Sequence, residues 1–280
     1  MPLTSFVPEI PFEEYRERFS EHFVMERSED GLLEVRMHTN GGEAIWGMEL
    51  HRALSQLFEA VGQDRKNHLM ILTGTGDHWL REFDVESWDE TEKDFDTFKR
   101  VGYEVWYRDG LKLKENLLWD VDIPTIAAVN GPGFHTEFAL LCDLTICTDD
   151  TKFLEPHLPL GLAPGDALYL VFQQLLGLKR ANYYMYTAKN ISASQALEWG
   201  LVNEVVSRSE LLPRARELAA DILQSDQTVL RITNHIIKRP WRKLLTDDFE
   251  MHFAHEMWAS LIDHRPRSNF PMADWVDRDA

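Results

Sequence analysis

Residues 126–147 read IAAVNGPGFHTEFALLCDLTIC. Ile126 to Val129 and Leu144 to Cys147 are short apolar runs of strand length, and Thr136 to Cys142 between them is a short helical run. Asn130-Gly131-Pro132-Gly133 supplies the punctuation that ends the first strand. The same alternation extends upstream. Phe23 to Arg27 and Leu32 to His38 flank Ser28-Glu29-Asp30-Gly31, which predicts a hairpin with Gly31 free to take a positive φ. Leu50, Ala53, Leu54, Leu57, Phe58 and Val61 recur at helical spacing, and Leu69 to Thr73 is a further apolar strand. Repeated strand–helix–strand units predict an α/β fold.

Outside this core the pattern changes. Residues 1–22 carry Pro8 and Pro11 and a charged, weakly amphipathic run, read as an N-terminal surface arm. Residues 85–120, rich in Asp, Glu, Lys and aromatics, read as a helical cover near the active site. Helices dominate from Asp166 onward, and the last strong one is expected over about Thr246 to Ile262. The division expected is an arm over 1–22, a core domain over 23–207 and a C-terminal helical region over 208–280. No internal repeat or low-complexity tract interrupts it.

With 280 residues, 44% of them hydrophobic, the chain can bury a large core. Its 29 basic and 47 acidic residues leave a formal charge of -18, which repels nucleic acid and anionic membranes. Cys142 and Cys147 form no CxxC pair or disulfide framework, and no run approaches the roughly 20 apolar residues of a membrane span. A cytoplasmic protein is expected.

The runs Ala127-Ala128-Val129-Asn130-Gly131, Cys142-Asp143 and Ser194-Gln195-Ala196-Leu197-Glu198-Trp199-Gly200-Leu201-Val202-Asn203-Glu204-Val205-Val206 resemble the crotonase (enoyl-CoA hydratase/isomerase) superfamily. That resemblance implies a spiral of ββα units with a C-terminal helical trimerisation region, and a homotrimer or dimer of trimers. The site positions depart from the CoA-using members. Their glycine-rich oxyanion turn becomes Gly133-Phe134-His135-Thr136-Glu137, with His135 where glycine is expected. Their Phe-x-x-Gly-x-Asp pattern becomes Trp79-Leu80-Arg81-Glu82-Phe83-Asp84, with Glu82 for the glycine. A carboxylate there repels a developing oxyanion unless it is protonated or turned away. The hydratase Pro-Glu becomes Pro156-His157, while Glu137 matches the other hydratase glutamate, so hydratase chemistry is incomplete.

The same departures resemble the cofactor-independent β-diketone hydrolases of the superfamily, typified by 6-oxocamphor hydrolase. The match runs from Pro11–Tyr15 through Trp46 and Thr73-Gly74-Thr75-Gly76 to Ala254-His255-Glu256. The resemblance places catalytic roles on Trp46, His135, His157, Asp166 and Glu256, and substrate contacts on Glu82, Phe83 and Phe134. Hydrolysis between two carbonyls needs a base to deliver water and donors for the departing enolate, with no metal or other cofactor. His157 paired with Asp166 would be the base, and His135 and the Trp46 indole would serve the second carbonyl. Glu256, on one helical face with Phe249, Phe253, Met257 and Ser260, would orient water or relay a proton.

Each residue has a plainer reading. Alone, His135 is a helix-start residue, Asp166 an N-cap, Glu256 the border of an apolar stripe and Trp46 a core residue; only their agreement with one pattern makes a site. His78, His252, His255 and His264 lack such context and read as solvated. Gly74-Thr75-Gly76 is too short for a dinucleotide fingerprint. Two other functions stay open: a CoA-thioester hydratase or isomerase, favoured by Glu137, and a non-catalytic binding or assembly module.

Overall fold

The computed structural model describes residues 10–263 and 270–277. Pro8 and His264 lie outside the described residues. A six-stranded sheet forms the frame, in the spatial order Phe23–Arg27, Leu32–Met37, Leu69–Thr73, Thr125–Val129, Leu144–Thr148 and Glu204–Val206. The first pair is the expected antiparallel hairpin, with Gly31 at φ 85°; every later pairing is parallel. Leu69–Thr73 and Thr125–Val129 are buried at every position, because parallel strands are covered on both faces and need no polar alternation. On one face Leu69, Ile71, Ile126, Ala128 and Ile146 pack against Leu211, Ala215 and Ala219 of the Leu211–Ile222 helix. The other face looks into the main core.

Two small ribbons carry the chain from the sheet to the site. Ile45–Trp46 pairs in parallel with Glu82–Phe83, and Gly133 bridges to both Leu80 and Phe153. A Cβ on Gly133 would lie 2.6 Å from the Leu80 nitrogen, so only glycine lets these segments meet.

The N-terminal segment differs from its expectation as a surface arm. Phe12–Arg18 is a helix, and Phe12, Tyr15 and Phe19 are buried. The Tyr15 hydroxyl donates to Asp64 at 3.0 Å. Three aromatics at helical spacing anchor it despite the charges between them. Residues 85–120 are helical as expected, with wide π turns over Phe98–Arg108 and Asn116–Asp120. The long C-terminal helix spans Glu250–Ile262 behind a π turn at Leu245–Phe249, and a further short helix, Met272–Asp277, follows it. Among the described residues, no helix is long and apolar enough to cross a membrane.

Candidate active site

Trp46, His135, His157, Asp166 and Glu256, scattered over two hundred residues of sequence, line one cavity together with Phe83 and Phe134. The cavity holds about 560 Å³ not filled by protein atoms, part of it open to solvent. Each side chain arrives from a different element. Trp46 ends its ribbon strand, His135 follows the Thr125–Val129 strand, and His157 opens the His157–Leu160 turn of helix. Asp166 precedes the Leu168–Leu176 helix, and Glu256 lies midway along Glu250–Ile262. Gly165 makes the last approach possible, since a Cβ there would fall 2.4 Å from the His252 carbonyl oxygen and 2.6 Å from Glu256 Cβ.

The backbone is strained at two points of the cavity wall. His135 has φ 50° and Ala167, beside Asp166, has φ 82°. Each such non-glycine residue costs about 1–2 kcal/mol. His135 therefore keeps the left-handed conformation that suits glycine while placing an imidazole in the turn. The Gly133 and Phe134 N–H groups of this turn already donate to the carbonyls of Lys152 and Leu80, at 3.1 and 3.2 Å.

The charged groups interlock. His135 Nδ1 lies 3.1 Å from both Glu137 Oε1 and Asp166 Oδ2; only the Glu137 contact has hydrogen-bond geometry. Lys114 Nζ sits 3.1 Å from the same Glu137 oxygen, with both side chains buried. Asp166 divides its two oxygens. Oδ1 accepts from the Leu168 N–H at 3.0 Å, so the capping reading holds, while Oδ2 faces His135 and lies 3.7 Å from His157 Nε2. Glu256 Oε1 lies 3.8 Å from that same Nε2.

One expectation is corrected. The His157 ring is held at Nδ1 by Glu155, at 2.7 Å, and not by Asp166. Glu155 sits two residues before His157 in a buried turn, so it reaches Nδ1 while Asp166 approaches from the opposite, Nε2 side.

Burial sets the titration of these groups against their neighbours. For His157 burial favours the neutral ring, but Glu155, Asp166 and Glu256 outweigh it and raise its pKa well above the usual histidine value. His135 is likewise raised, burial being overcome by Glu137 and Asp166. Burial would raise Asp166, yet the His157 and His135 imidazoles hold it well below the carboxylate range. Glu256 is pushed up to about 7, chiefly by burial and also by Asp166. Both imidazoles are thus shifted toward their charged forms, and Glu256 is the carboxyl poised to gain or lose a proton near neutrality.

Several buried polar atoms around the cavity have no hydrogen-bond partner: Trp46 Nε1, Trp88 Nε1, Asp166 Oδ2 and Glu256 Oε2. Such orphans are rare in folded proteins, and their grouping on one apolar cavity marks a place where a polar ligand completes them. The Trp46 ring also lies 4.1 Å from that of His135, tilted by 30°.

Glu82, expected to touch substrate, does not reach the cavity. It pairs with Arg81 at 3.0 Å and is half-exposed, because its strand turns its side chain outward while Phe83 turns in. Sequence reading missed His51, Lys114 and Glu155. His51 lies on the buried face of the Met48–Gln63 helix, Nδ1 facing the Val105 carbonyl at 3.2 Å, and burial with Lys114 and His135 nearby lowers its pKa to about 3. Its place among Leu50, Ala53 and Leu54 was the available signal. Lys114 gave none, since lysine in a charged helix reads as surface. Of the histidines read as solvated, His255 is exposed, whereas His78 binds Glu43 at 2.8 Å.

His135, Glu137 and Asp166 offer one ligand atom each, all within 4.8 Å of one another. Glu137 Oε1, however, already faces the Lys114 ammonium and His135 Nδ1, so a divalent cation would have to displace that pairing.

The profile of the enoyl-CoA hydratase/isomerase family matches residues 28–269, and the chain belongs to this crotonase superfamily, whose fold it has. Many solved structures share the architecture. A β-diketone hydrolase from the cyanobacterium Anabaena sp. PCC 7120, bound to (S)-3-oxocyclohexyl acetic acid, is 32% identical with a TM-score of 0.83, over 91% of this chain and all of that one. An enoyl-CoA hydratase/isomerase from Mycobacterium paratuberculosis, 21% identical with a TM-score of 0.77 over 89% of this chain and 96% of that one, shows the fold alone. Among curated relatives, hydroxycinnamoyl-CoA hydratase-lyase from Pseudomonas fluorescens is 30% identical over 75% of this chain and 76% of its own length. Carnitinyl-CoA dehydratase from Salmonella paratyphi A is 34% identical over 69% of this chain and 72% of that protein.

Proposed function

We propose that the protein hydrolyses a carbon–carbon bond of a cyclic or bicyclic β-diketone by a retro-Claisen route, without CoA, giving a keto acid. The observation that carries this is the cavity itself: two imidazoles, two carboxylates and an orphan indole N–H converge in an apolar pocket, with His135 in the turn used for a thioester oxyanion. The full-length similarity to the Anabaena β-diketone hydrolase supports the same reading.

His157 and Glu256 act as a unit. A water on the cavity side of His157 Nε2 and Glu256 Oε1, which lie 3.8 Å apart and so do not hydrogen-bond each other, loses a proton to this pair as its oxygen bonds to one carbonyl carbon. The bond to the central carbon then breaks, its electron pair forming the enolate of the second carbonyl. Trp46 Nε1–H and His135 Nε2–H receive that charge. A protonated His135 has both nitrogens as donors, and its Nδ1 is occupied by carboxylates. The proton held by His157 and Glu256 finally returns to the central carbon, so no oxidant, reductant or metal is consumed.

Incubating the purified protein with a panel of cyclic and bicyclic β-diketones, without CoA, and looking by mass spectrometry for substrate plus one water tests this. The curated relatives act on CoA substrates by name. No opened product across the panel, with CoA binding by calorimetry, would transfer the function to a thioester hydratase. Loss of neither activity nor fold on replacing His157 or Asp166 would favour a non-catalytic module. We also propose a trimer or dimer of trimers, supported by the exposed Val229, Ile232, Ile236 and Ile237 on the Gln227–Ile237 helix; native mass spectrometry measures it.

A further inference from the structure

We propose that Glu155 is the positioning residue of the site: it fixes the His157 tautomer and sets how strongly that ring holds its proton, while Asp166 chiefly serves His135. This deepens the hydrolase reading above and rests on it for its catalytic meaning, though not for its geometry.

Glu155 Oε1 accepts two hydrogen bonds from the same residue, from the His157 backbone N–H at 2.8 Å and from ring Nδ1 at 2.7 Å. An ionised carboxylate has no proton to give, so Nδ1 is the donor and Nε2 is the nitrogen presented to the cavity. The backbone bond anchors the carboxylate, the ring bond anchors the imidazole, and the two share one oxygen. The ring therefore cannot turn without breaking a charge-assisted bond. Glu155 is 1% exposed, so solvent does not compete for it. Pro156 lies between the two residues and restricts φ of the link.

Asp166 is placed differently. Its Oδ2 is 3.7 Å from His157 Nε2, beyond hydrogen-bonding reach, and closer, at 3.1 Å, to His135 Nδ1, an ion-pair contact without hydrogen-bond geometry. The charged groups facing His157 are Glu155 from its own turn, Asp166 ahead of the Leu168–Leu176 helix, and Glu256 from the Glu250–Ile262 helix. The positive charges of Lys114 and His135 favour the ionised forms of Asp166 and Glu256. Of these carboxylates, only Glu155 is in hydrogen-bond contact with the ring.

The test is histidine-ring NMR on the full chain carrying 15N-labelled histidine, with the His157 signals assigned from their loss in His157→Asn. In the wild-type protein the neutral His157 ring should carry its proton on Nδ1. Glu155→Gln keeps both acceptor contacts but removes the charge, and should lower the His157 titration by about one to two pH units. Asp166→Asn should move the His135 titration more than that of His157. An Nε2–H tautomer in the wild type would overturn the proposal even if Glu155→Gln failed to fold. So would an unmoved His157 titration in that variant, or a larger shift from Asp166→Asn. In turnover, Glu155→Gln should move the acid limb of kcat/KM to lower pH, because the coupled pair of His157 and Glu256 releases its proton more readily without the Glu155 charge, and lower the plateau. A purely structural role would lower the rate without moving the limb. If the wild type opens no diketone, the functional reading fails while the tautomer and titration still decide the role of Glu155.

Discussion

Replacing Trp46 with Phe separates its packing from the donor role proposed for its indole. The indole is 1% exposed and its ring lies 4.1 Å from that of His135, a contact that phenylalanine largely preserves. What it removes is the buried Nε1–H, which has no protein partner. In the proposed reaction that donor meets charge developing on the second carbonyl, and losing one preorganised donor of this kind should lower kcat by about 10² to 10³, or roughly 3–4 kcal/mol. Substrate affinity changes little, because the ground-state carbonyl carries less charge than the enolate. Stability follows a different balance. Removing an unsatisfied buried donor recovers about 1–3 kcal/mol, while the smaller ring leaves a void costing about 1 kcal/mol. The melting temperature should therefore stay within a few degrees of wild type or rise. Steady-state kinetics on an opened diketone with a parallel thermal melt reads both. A kcat within about threefold of wild type, or a melting temperature down by more than about ten degrees, would make Trp46 a core residue and refute the donor assignment.

Three further expectations follow from the same geometry. Activity should rise with pH through about 7, because Glu256 is held up to that value and the water-activating pair works in its deprotonated form; Glu256→Gln should abolish or displace this limb in a pH–rate profile. Gly165→Ala should destabilise the fold by about 1–3 kcal/mol and lower activity, since its Cβ would fall 2.4 Å from the His252 oxygen and 2.6 Å from Glu256 Cβ; denaturant unfolding with kinetics checks it, and a fully stable, active variant contradicts the close approach. His135→Ala should reduce kcat far more than it raises KM, because a protonated His135 donates to charge that appears late; a rise in KM alone would make it a binding residue.

Much of this site was legible because the sequence changes type where the fold needs punctuation. Asn130 to Gly133 ends a strand that is buried at every position, and a histidine after that turn is conspicuous. His157 after Pro156 and Asp166 after Gly165 stand out for the same reason. Interior polar residues are harder to see. Glu155 lies between Leu154 and Pro156 and reads as the charged end of a strand, and Lys114 looks like its solvated neighbour Lys112. Their roles arise from contacts with Glu137 and His157 that no local spacing encodes. Glu82 failed in the opposite way: its position in the pattern was right, but side-chain alternation along its short strand sends the carboxylate to Arg81 and Phe83 to the cavity. The helix of Phe12–Arg18 was hidden by charge, since its burial rests on three aromatics among five acidic or basic residues.

The charge count of the cavity explains why these missed residues matter. Lys114, His135 and His157 face Glu137, Glu155, Asp166 and Glu256 in a largely buried cluster. With both imidazoles protonated and every carboxyl ionised the cluster carries one net negative charge, and protonating Glu256 makes it neutral. Low-dielectric surroundings favour the neutral count, in keeping with Glu256 as the carboxyl raised to about 7. In the proposed reaction, releasing one proton from that neutral cluster creates the base, and taking one back from water restores neutrality as the carbon–carbon bond weakens. Asp166 alone could not produce this behaviour. Held low between two imidazoles, it stays a fixed negative charge, whereas the mobile proton belongs to the pair formed by His157 and Glu256.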